Sequence, residues 1–126
     1  MARRKTLEER ALNVLICTRD LVARPGGWVK QSFVSRVRKG DSHYGEIRFA
    51  YCVLGAVNKC AGRNASVGNF AQDLLHECLP PGFEHNSPDG FNDHPDTKQR
   101  DVVALLNRAI KKMEKETKKM EKVGAS

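Results

Sequence analysis

The sequence lacks any run of apolar residues approaching the roughly 18 that a membrane-spanning helix needs. The basic residues 1–5 lead into a polar stretch, and the apolar segment that a secretory signal requires is missing there. We therefore expect a cytoplasmic protein that does not contact a membrane. With 126 residues, 40% of them apolar and 29% charged, the chain has the size and composition of one globular domain.

The sequence also lacks a phosphate-binding glycine loop and the closely paired cysteines or histidines of a zinc site. We therefore expect no metal ion and no other cofactor. Without an export signal, reduced thiols are expected in preference to disulfides, because the cytosol keeps cysteines reduced. Three of the four cysteines, Cys17, Cys52 and Cys78, are expected to pack on helix faces as small hydrophobic residues.

Apolar residues at helical spacing predict a mainly α fold, a compact single domain of four helices. The predicted helices begin at Thr6, Glu46, Ser66 and either Asp96 or Thr97. Thr6 and Glu9 form a capping box that fixes the first of these starts. The core is expected to contain Leu15, Leu21, Val53, Leu54, Val57, Leu74, Leu75, Val102, Leu105, Leu106 and Ile110.

Two segments do not fit a helix. Residues 28–45 predict a short irregular or β-like insert, in which a strand over 33–37 precedes a turn at 39–42. Residues 80–97 contain four prolines and predict a long irregular loop, anchored on the core by Phe83 and Phe91. The globular domain is then 6–113, between a basic tail at 1–5 and a charged helical extension at 114–126 that frays near Val123.

Several short phrases occur in a characteristic order along the chain. They are Gly27-Trp28, Gln31, Cys52-x-x-Gly55-Ala56, Phe91-Asn92-Asp93 and Val102-x-x-Leu105-Leu106-x-x-Ala109. In this order and spacing they resemble an uncharacterised family of small bacterial and phage proteins, a domain of unknown function. The resemblance covers residues 7–113 and implies a compact domain of phage or mobile-element origin. It implies no activity.

The leading hypothesis is a non-enzymatic binding or adaptor protein that acts on a host protein. The candidate contact residues lie in the insert and the long loop: Trp28, Gln31, Phe91, Asn92, Asp93 and His94. Polar loop residues often carry function, but asparagine and aspartate also hold tight turns through their own backbone. Asn92 and Asp93 are therefore either ligand contacts or a latch that fixes the loop, and Trp28 is either a recognition residue or a core residue.

Nucleic-acid binding is the first alternative, because the net charge of +7 is concentrated at the two ends of the chain. Residues 6–110 carry a net charge of only +1. The candidate phosphate contacts are Arg3, Arg4, Lys5, Lys111, Lys112, Lys115, Lys118 and Lys119. Glutamates alternate with the C-terminal lysines, and no aromatic residue is present there for base stacking, which favours a solvated helix face instead.

A cysteine-dependent enzyme centred on Cys52 is the second alternative. His94 or His76 would act as the base, and Asp93 would orient it. Such a nucleophile needs an exposed thiol with a lowered pKa. Cys52 is followed by Val53 and Leu54 on an apolar helix face, so a buried, unreactive thiol is favoured.

Overall fold

The computed structural model describes residues 5–30, 32, 34–38, 47–83 and 87–124. Within these ranges the chain forms a helical body with one small sheet, as the mainly α prediction requires. The elements in order are α1 (Leu7–Ala23), β1 (Val34–Arg38), β2 (Ile47–Tyr51), α2 (Val53–Ala61), α3 (Ala65–Glu77), α4 (Pro88–Asp93) and α5 (Gln99–Gly124). The four predicted helices correspond to α1, α2, α3 and α5, and the six-residue α4 is an addition.

The start of α1 confirms Thr6 as the N-cap, the first half of the predicted capping box. The Thr6 hydroxyl accepts a hydrogen bond from the Glu9 backbone N–H at 3.1 Å, which satisfies one of the amides that a helix start leaves unpaired. The Gln99 side chain serves the other end of the helix, where its Nε2 donates to the carbonyls of Val22 at 2.7 Å and Arg24 at 2.8 Å. Gln99 thus ties the beginning of α5 to the end of α1.

The predicted helix over 46–61 is wrong in its first part. Residues Ile47–Tyr51 form β2, which pairs antiparallel with β1 in a register that places Val34 opposite Tyr51. β-Branched and aromatic residues favour this extended pairing over a helix. The helix starts only at Val53, where the Cys52 side chain caps it, and Glu46 lies outside the described residues. The strand predicted in the insert at 28–45 is confirmed as β1, whereas its partner β2 lies beyond the insert. The predicted turn at 39–42 lies outside the described residues.

Two further helix starts differ from the prediction, and one predicted loop contains a helix. Asn64, not Ser66, caps α3 through its side-chain oxygen. The last helix begins at Gln99, beyond Asp96 and Thr97. Residues 80–97 are not uniformly irregular, because Ser87 caps the short α4 and proline occupies its first turn, where no amide is lost.

The core lies where α1 packs against α2, α3 and α5. Nine of the eleven predicted core residues are buried, while Leu21 and Leu54 are half-buried against them. The buried stripe of α5 ends at Met113, and the helix continues to Gly124 as the predicted charged extension. Glu114, Lys115, Glu116, Lys118 and Lys119 are all exposed on it.

The expectation that all cysteines are reduced is wrong for one pair. Cys17 on α1 and Cys60 on α2 form a disulfide, with their Cα atoms 5.9 Å apart. Packing of α1 on α2 brings these residues together although 43 positions separate them in the chain. Cys52 and Cys78 are free thiols, buried and half-buried respectively.

Candidate functional site

The side chain of Asn92 joins separate parts of the chain through four hydrogen bonds. It is fully buried at the end of α4. Its Oδ1 accepts from Trp28 Nε1 at 2.7 Å and from the Val53 backbone N–H at 3.0 Å. Its Nδ2 donates to the Val29 carbonyl at 3.1 Å and to Asp93 Oδ1 at 3.0 Å. The amide therefore uses its full bonding capacity inside the protein, and Asn92 serves as a latch that fixes α4 on the core.

The chain around Trp28 is held in place by backbone pairing with the end of β2. The Val29 N–H donates to the Tyr51 carbonyl at 3.2 Å, and the Tyr51 N–H donates to the Gly27 carbonyl at 2.8 Å. A Cβ atom at residue 27 would collide with the carbonyl oxygen of Leu21, which explains the glycine there. The indole of Trp28 is consequently half-buried, packed against the core, and aimed at the latch.

Lys30 and His94 connect the insert to the segment after α4. Lys30 Nζ donates to the His94 carbonyl at 2.6 Å and lies 5.6 Å from the centroid of the Trp28 ring. His94 Nδ1 accepts from the Asp96 backbone N–H at 3.1 Å, and the imidazole packs edge-on against Phe83 at 5.0 Å. The structure therefore places His94 in a packing and turn-forming position.

Cys52 lies beside the latch but is not set up as a nucleophile. Its Sγ accepts a hydrogen bond from the Gly55 N–H at 3.3 Å and so caps α2. Burial raises the pKa of the thiol, and the negative charges of Asp93 and Asp89 raise the same pKa further. Because the thiolate is the reactive form, this environment supports a structural role for Cys52. Among the described residues, no group of histidine, cysteine and carboxylate side chains is arranged to hold a metal ion.

A surface pocket of about 240 Å³ lies between the segment before α4 and the first turns of α5. Its apolar side is formed by Pro80, Phe83, Phe91 and Ala104. The rings of Phe83 and Phe91 meet edge to face, with centroids 5.0 Å apart. Phe91 is buried, in agreement with its predicted anchoring role, and precedes the latch residue in the chain. The latch thus holds one wall of the pocket in place.

The opposite side of the pocket is polar and comes from α5 and the turn before it. Thr97, Asp101 and Arg108 line this side together with Asp96. Asp101 Oδ2 accepts from the Lys98 N–H at 2.8 Å, while Arg108 Nε donates to the Cys78 carbonyl at 3.2 Å. These pocket residues were missed in the sequence. The sequence offers one signal for them. Positions 97, 101, 104 and 108 are spaced by three or four residues, as residues on one face of a helix are.

The match of residues 6–112 to a family of unknown function decides the classification of the chain. The chain belongs to the DUF6197 family. No characterised protein and no solved structure matches it. Both the latch and the pocket lie within residues 6–112, the part of the chain that matches the DUF6197 family. Among the described residues, no helix is long and apolar enough to span a membrane.

The predicted nucleic-acid contacts of this DUF6197 protein are distributed over two regions. Five lysines lie exposed on α5: Lys111, Lys112, Lys115, Lys118 and Lys119. Lys112 Nζ is paired with Glu77 Oε2 at 2.7 Å, and that contact raises the pKa of the amine. Lys5 is exposed beside Arg10 in a second surface groove. Arg3 and Arg4, like the predicted protein contact Gln31, lie outside the described residues.

Proposed function

We propose that this DUF6197 protein is a small non-enzymatic binding protein, of phage or mobile-element origin, that acts on a host protein. The observation that carries this proposal is the pocket of about 240 Å³ with an aromatic floor. Pockets for small-molecule ligands are typically about 300–1,000 Å³, so this one is better matched to a single side chain. Protein interfaces gain most of their affinity from a few such anchors seated in pockets.

The attachment of the pocket to the core supports the same function. Phe91 is 3% exposed and adjoins Asn92, which is bonded to Trp28 and to the first amide of α2. A pocket wall held in this way needs little ordering when a partner binds, which lowers the entropic cost of association. In this arrangement Trp28 and Asn92 act from inside the protein, and the partner contacts the pocket that they support.

An affinity experiment on host lysate, treated with nuclease, tests the proposal. Ala104 is exposed and lines the pocket, so Ala104→Trp fills the pocket without disturbing the core. Lys115→Trp adds the same side chain to an exposed position of the same helix and is the control. We expect a stoichiometric protein partner that binds the wild type and Lys115→Trp but not Ala104→Trp. Retention of every partner by Ala104→Trp would show that the pocket is not the interface.

The Cys17–Cys60 disulfide makes the proposed cytoplasmic location testable. The cytosol keeps most thiols reduced, so a cytoplasmic protein would carry this pair in the reduced form. Acid quenching of cells followed by alkylation of free thiols distinguishes four reactive cysteines from two. Two reactive cysteines would mean that the protein is in an oxidising environment and that the proposed location is wrong.

Nucleic-acid binding is the second candidate, and the small sheet adds an observation in its favour. Phe49 on β2 is 44% exposed, and its register partner on β1 is Arg36. β1 contains two arginines in its sequence, Arg36 and Arg38. Single strands are bound by stacking on exposed aromatic residues combined with contacts from basic residues to phosphates, so a sheet of this composition is a candidate surface.

Retention on immobilised DNA at increasing salt concentration tests this second function. Deletion of 114–126 together with replacement of Arg3, Arg4 and Lys5 removes the basic ends, whereas Phe49→Ser changes only the sheet. Loss of retention in the first variant would place binding at the ends, and loss in the second would place it on the sheet. Retention that survives both changes would contradict nucleic-acid binding by either surface.

A further inference from the structure

The disulfide between Cys17 and Cys60 lies at the surface of the protein. Cys17 occupies an exposed position on α1, and Cys60 is half-buried near the end of α2. The backbone inside a helix is covered by the neighbouring turns and side chains, so the exposed surface of a helical cysteine belongs mainly to its Cβ and Sγ atoms. Exposed disulfides are the labile ones, because a thiolate from solution reaches a sulfur atom without unfolding the protein.

The other two cysteines of the chain are less available for such chemistry. Cys52 is only 6% exposed, and its Sγ accepts a hydrogen bond from the Gly55 N–H. Cys78 is half-buried at the end of α3. Burial raises the pKa of both thiols, and the thiolate is the form that reacts. The Cys17–Cys60 pair is therefore where a thiol from solution meets the least obstruction.

The two helices are held together by more than the disulfide. From α1, Val14 and Leu15 belong to the buried core cluster. From α2, Val53 and Val57 belong to the same cluster, and both are fully buried. This apolar contact does not depend on the covalent cross-link, so it keeps the two helices packed when the cross-link is opened. The two cysteines, with Cα atoms 5.9 Å apart, then remain neighbours that can pair again.

We propose that the Cys17–Cys60 disulfide is a site of reversible thiol–disulfide exchange, at which small cellular thiols modify the folded protein on Cys17. The thiolate of the small molecule attacks Cys17 Sγ and forms a mixed disulfide there. The bond between Cys17 and Cys60 breaks, and Cys60 leaves as a thiolate that takes a proton from water. Cys17 is the sulfur attacked because it is the more exposed of the two.

A second small thiol completes the reduction. Its thiolate attacks the sulfur of the bound small molecule, which departs with it as a symmetrical disulfide, and Cys17 is released and protonated. Two electrons pass in this way from two small thiols to the protein, and the reverse sequence restores the cross-link. The redox state of the surrounding thiols therefore sets whether α1 and α2 are covalently joined. This exchange is independent of the binding function proposed above.

The rate at which 2-mercaptoethanol reduces the full-length protein tests whether exchange occurs in the folded state. Samples are quenched with acid, alkylated and read by mass spectrometry. We expect a rate proportional to the 2-mercaptoethanol concentration and unchanged by about 1 M urea, which raises the unfolded population of a small domain about tenfold. Alkylation of the buried Cys52 in the same urea is the control, because it should accelerate with unfolding. A tenfold faster reduction in urea, or a rate independent of thiol concentration, would overturn the proposal.

Two matched variants identify the sulfur that is modified. Cys60→Ser leaves Cys17 as a free thiol, Cys17→Ser leaves Cys60 free, and both lack the cross-link. Each is treated with the disulfide of 2-mercaptoethanol, and we expect the mixed disulfide to form faster on Cys17. Equal rates, or faster modification of Cys60, would overturn the assignment to Cys17. Loss of the helical circular dichroism signal in both variants would show that the fold requires the cross-link and would overturn reversible exchange.

Discussion

Replacing Asn92 with alanine removes the side chain that connects α4, α2 and the segment after α1. The Val53 N–H is then left unpaired in a fully buried position at the start of α2, at a cost of about 1–3 kcal/mol. Trp28 Nε1 and the Val29 carbonyl each lose a bond in half-buried positions, at about 1 kcal/mol apiece. We therefore expect Asn92→Ala to lower the free energy of unfolding by about 3–5 kcal/mol.

Urea denaturation followed by tryptophan fluorescence measures this loss, because Trp28 is the sole tryptophan and bonds to the latch. Total stabilities of small domains are about 5–15 kcal/mol, so the midpoint should fall sharply while the slope stays constant. The control is Asn69→Ala, since Asn69 is exposed on α3 and should change stability by under about 0.5 kcal/mol. A loss below about 1.5 kcal/mol for Asn92→Ala would refute the argument that its bonds are needed for stability.

Three further predictions concern other contacts. The Cys17–Cys60 disulfide closes a loop of 43 residues, so its reduction should lower the free energy of unfolding by about 4 kcal/mol. Urea denaturation with and without reductant measures this loss, and equal midpoints under the two conditions would contradict the prediction. Because burial raises the pKa of Cys52 above its ordinary 9.0, the contribution of this thiol to stability should be constant below pH 9 and should fall above it, so Cys52→Ser should reduce the loss of stability at high pH. A rise in stability above pH 9 that depends on Cys52 would contradict this prediction. Gln99→Ala removes two hydrogen bonds to the end of α1 and should cost about 1–3 kcal/mol in thermal unfolding, whereas no change would show that water replaces them.

Most of the helices could be predicted because their information is local. The stripe of apolar residues on α5 and the Thr6 cap of α1 both repeat patterns that a helix imposes on its own sequence. The second helix was predicted too early because Ile47–Tyr51 contains residues compatible with either state. Its strand conformation depends on pairing with β1, which is a contact between distant segments.

The candidate site shows the same division. Trp28, Phe91 and Asn92 were individually recognisable as unusual residues, and a latch was one of the roles predicted for Asn92. Nothing local indicated that the Trp28 indole would bond to Asn92, because 64 positions separate them. The pocket was not predicted at all, since it arises only where the segment before α4 lies across α5.

The sequence by itself determined the helical class, the buried stripes and the charged extension of α5, because each depends on periodicity within one segment. Only the tertiary structure decided that Cys17 pairs with Cys60 and that Ile47–Tyr51 is a strand. It also left the Thr97 hydroxyl buried and unpaired among the described residues. These features depend on which distant residues become neighbours. That arrangement is set by the burial of apolar surface, and because this force has no direction, no single segment of the sequence specifies its partner.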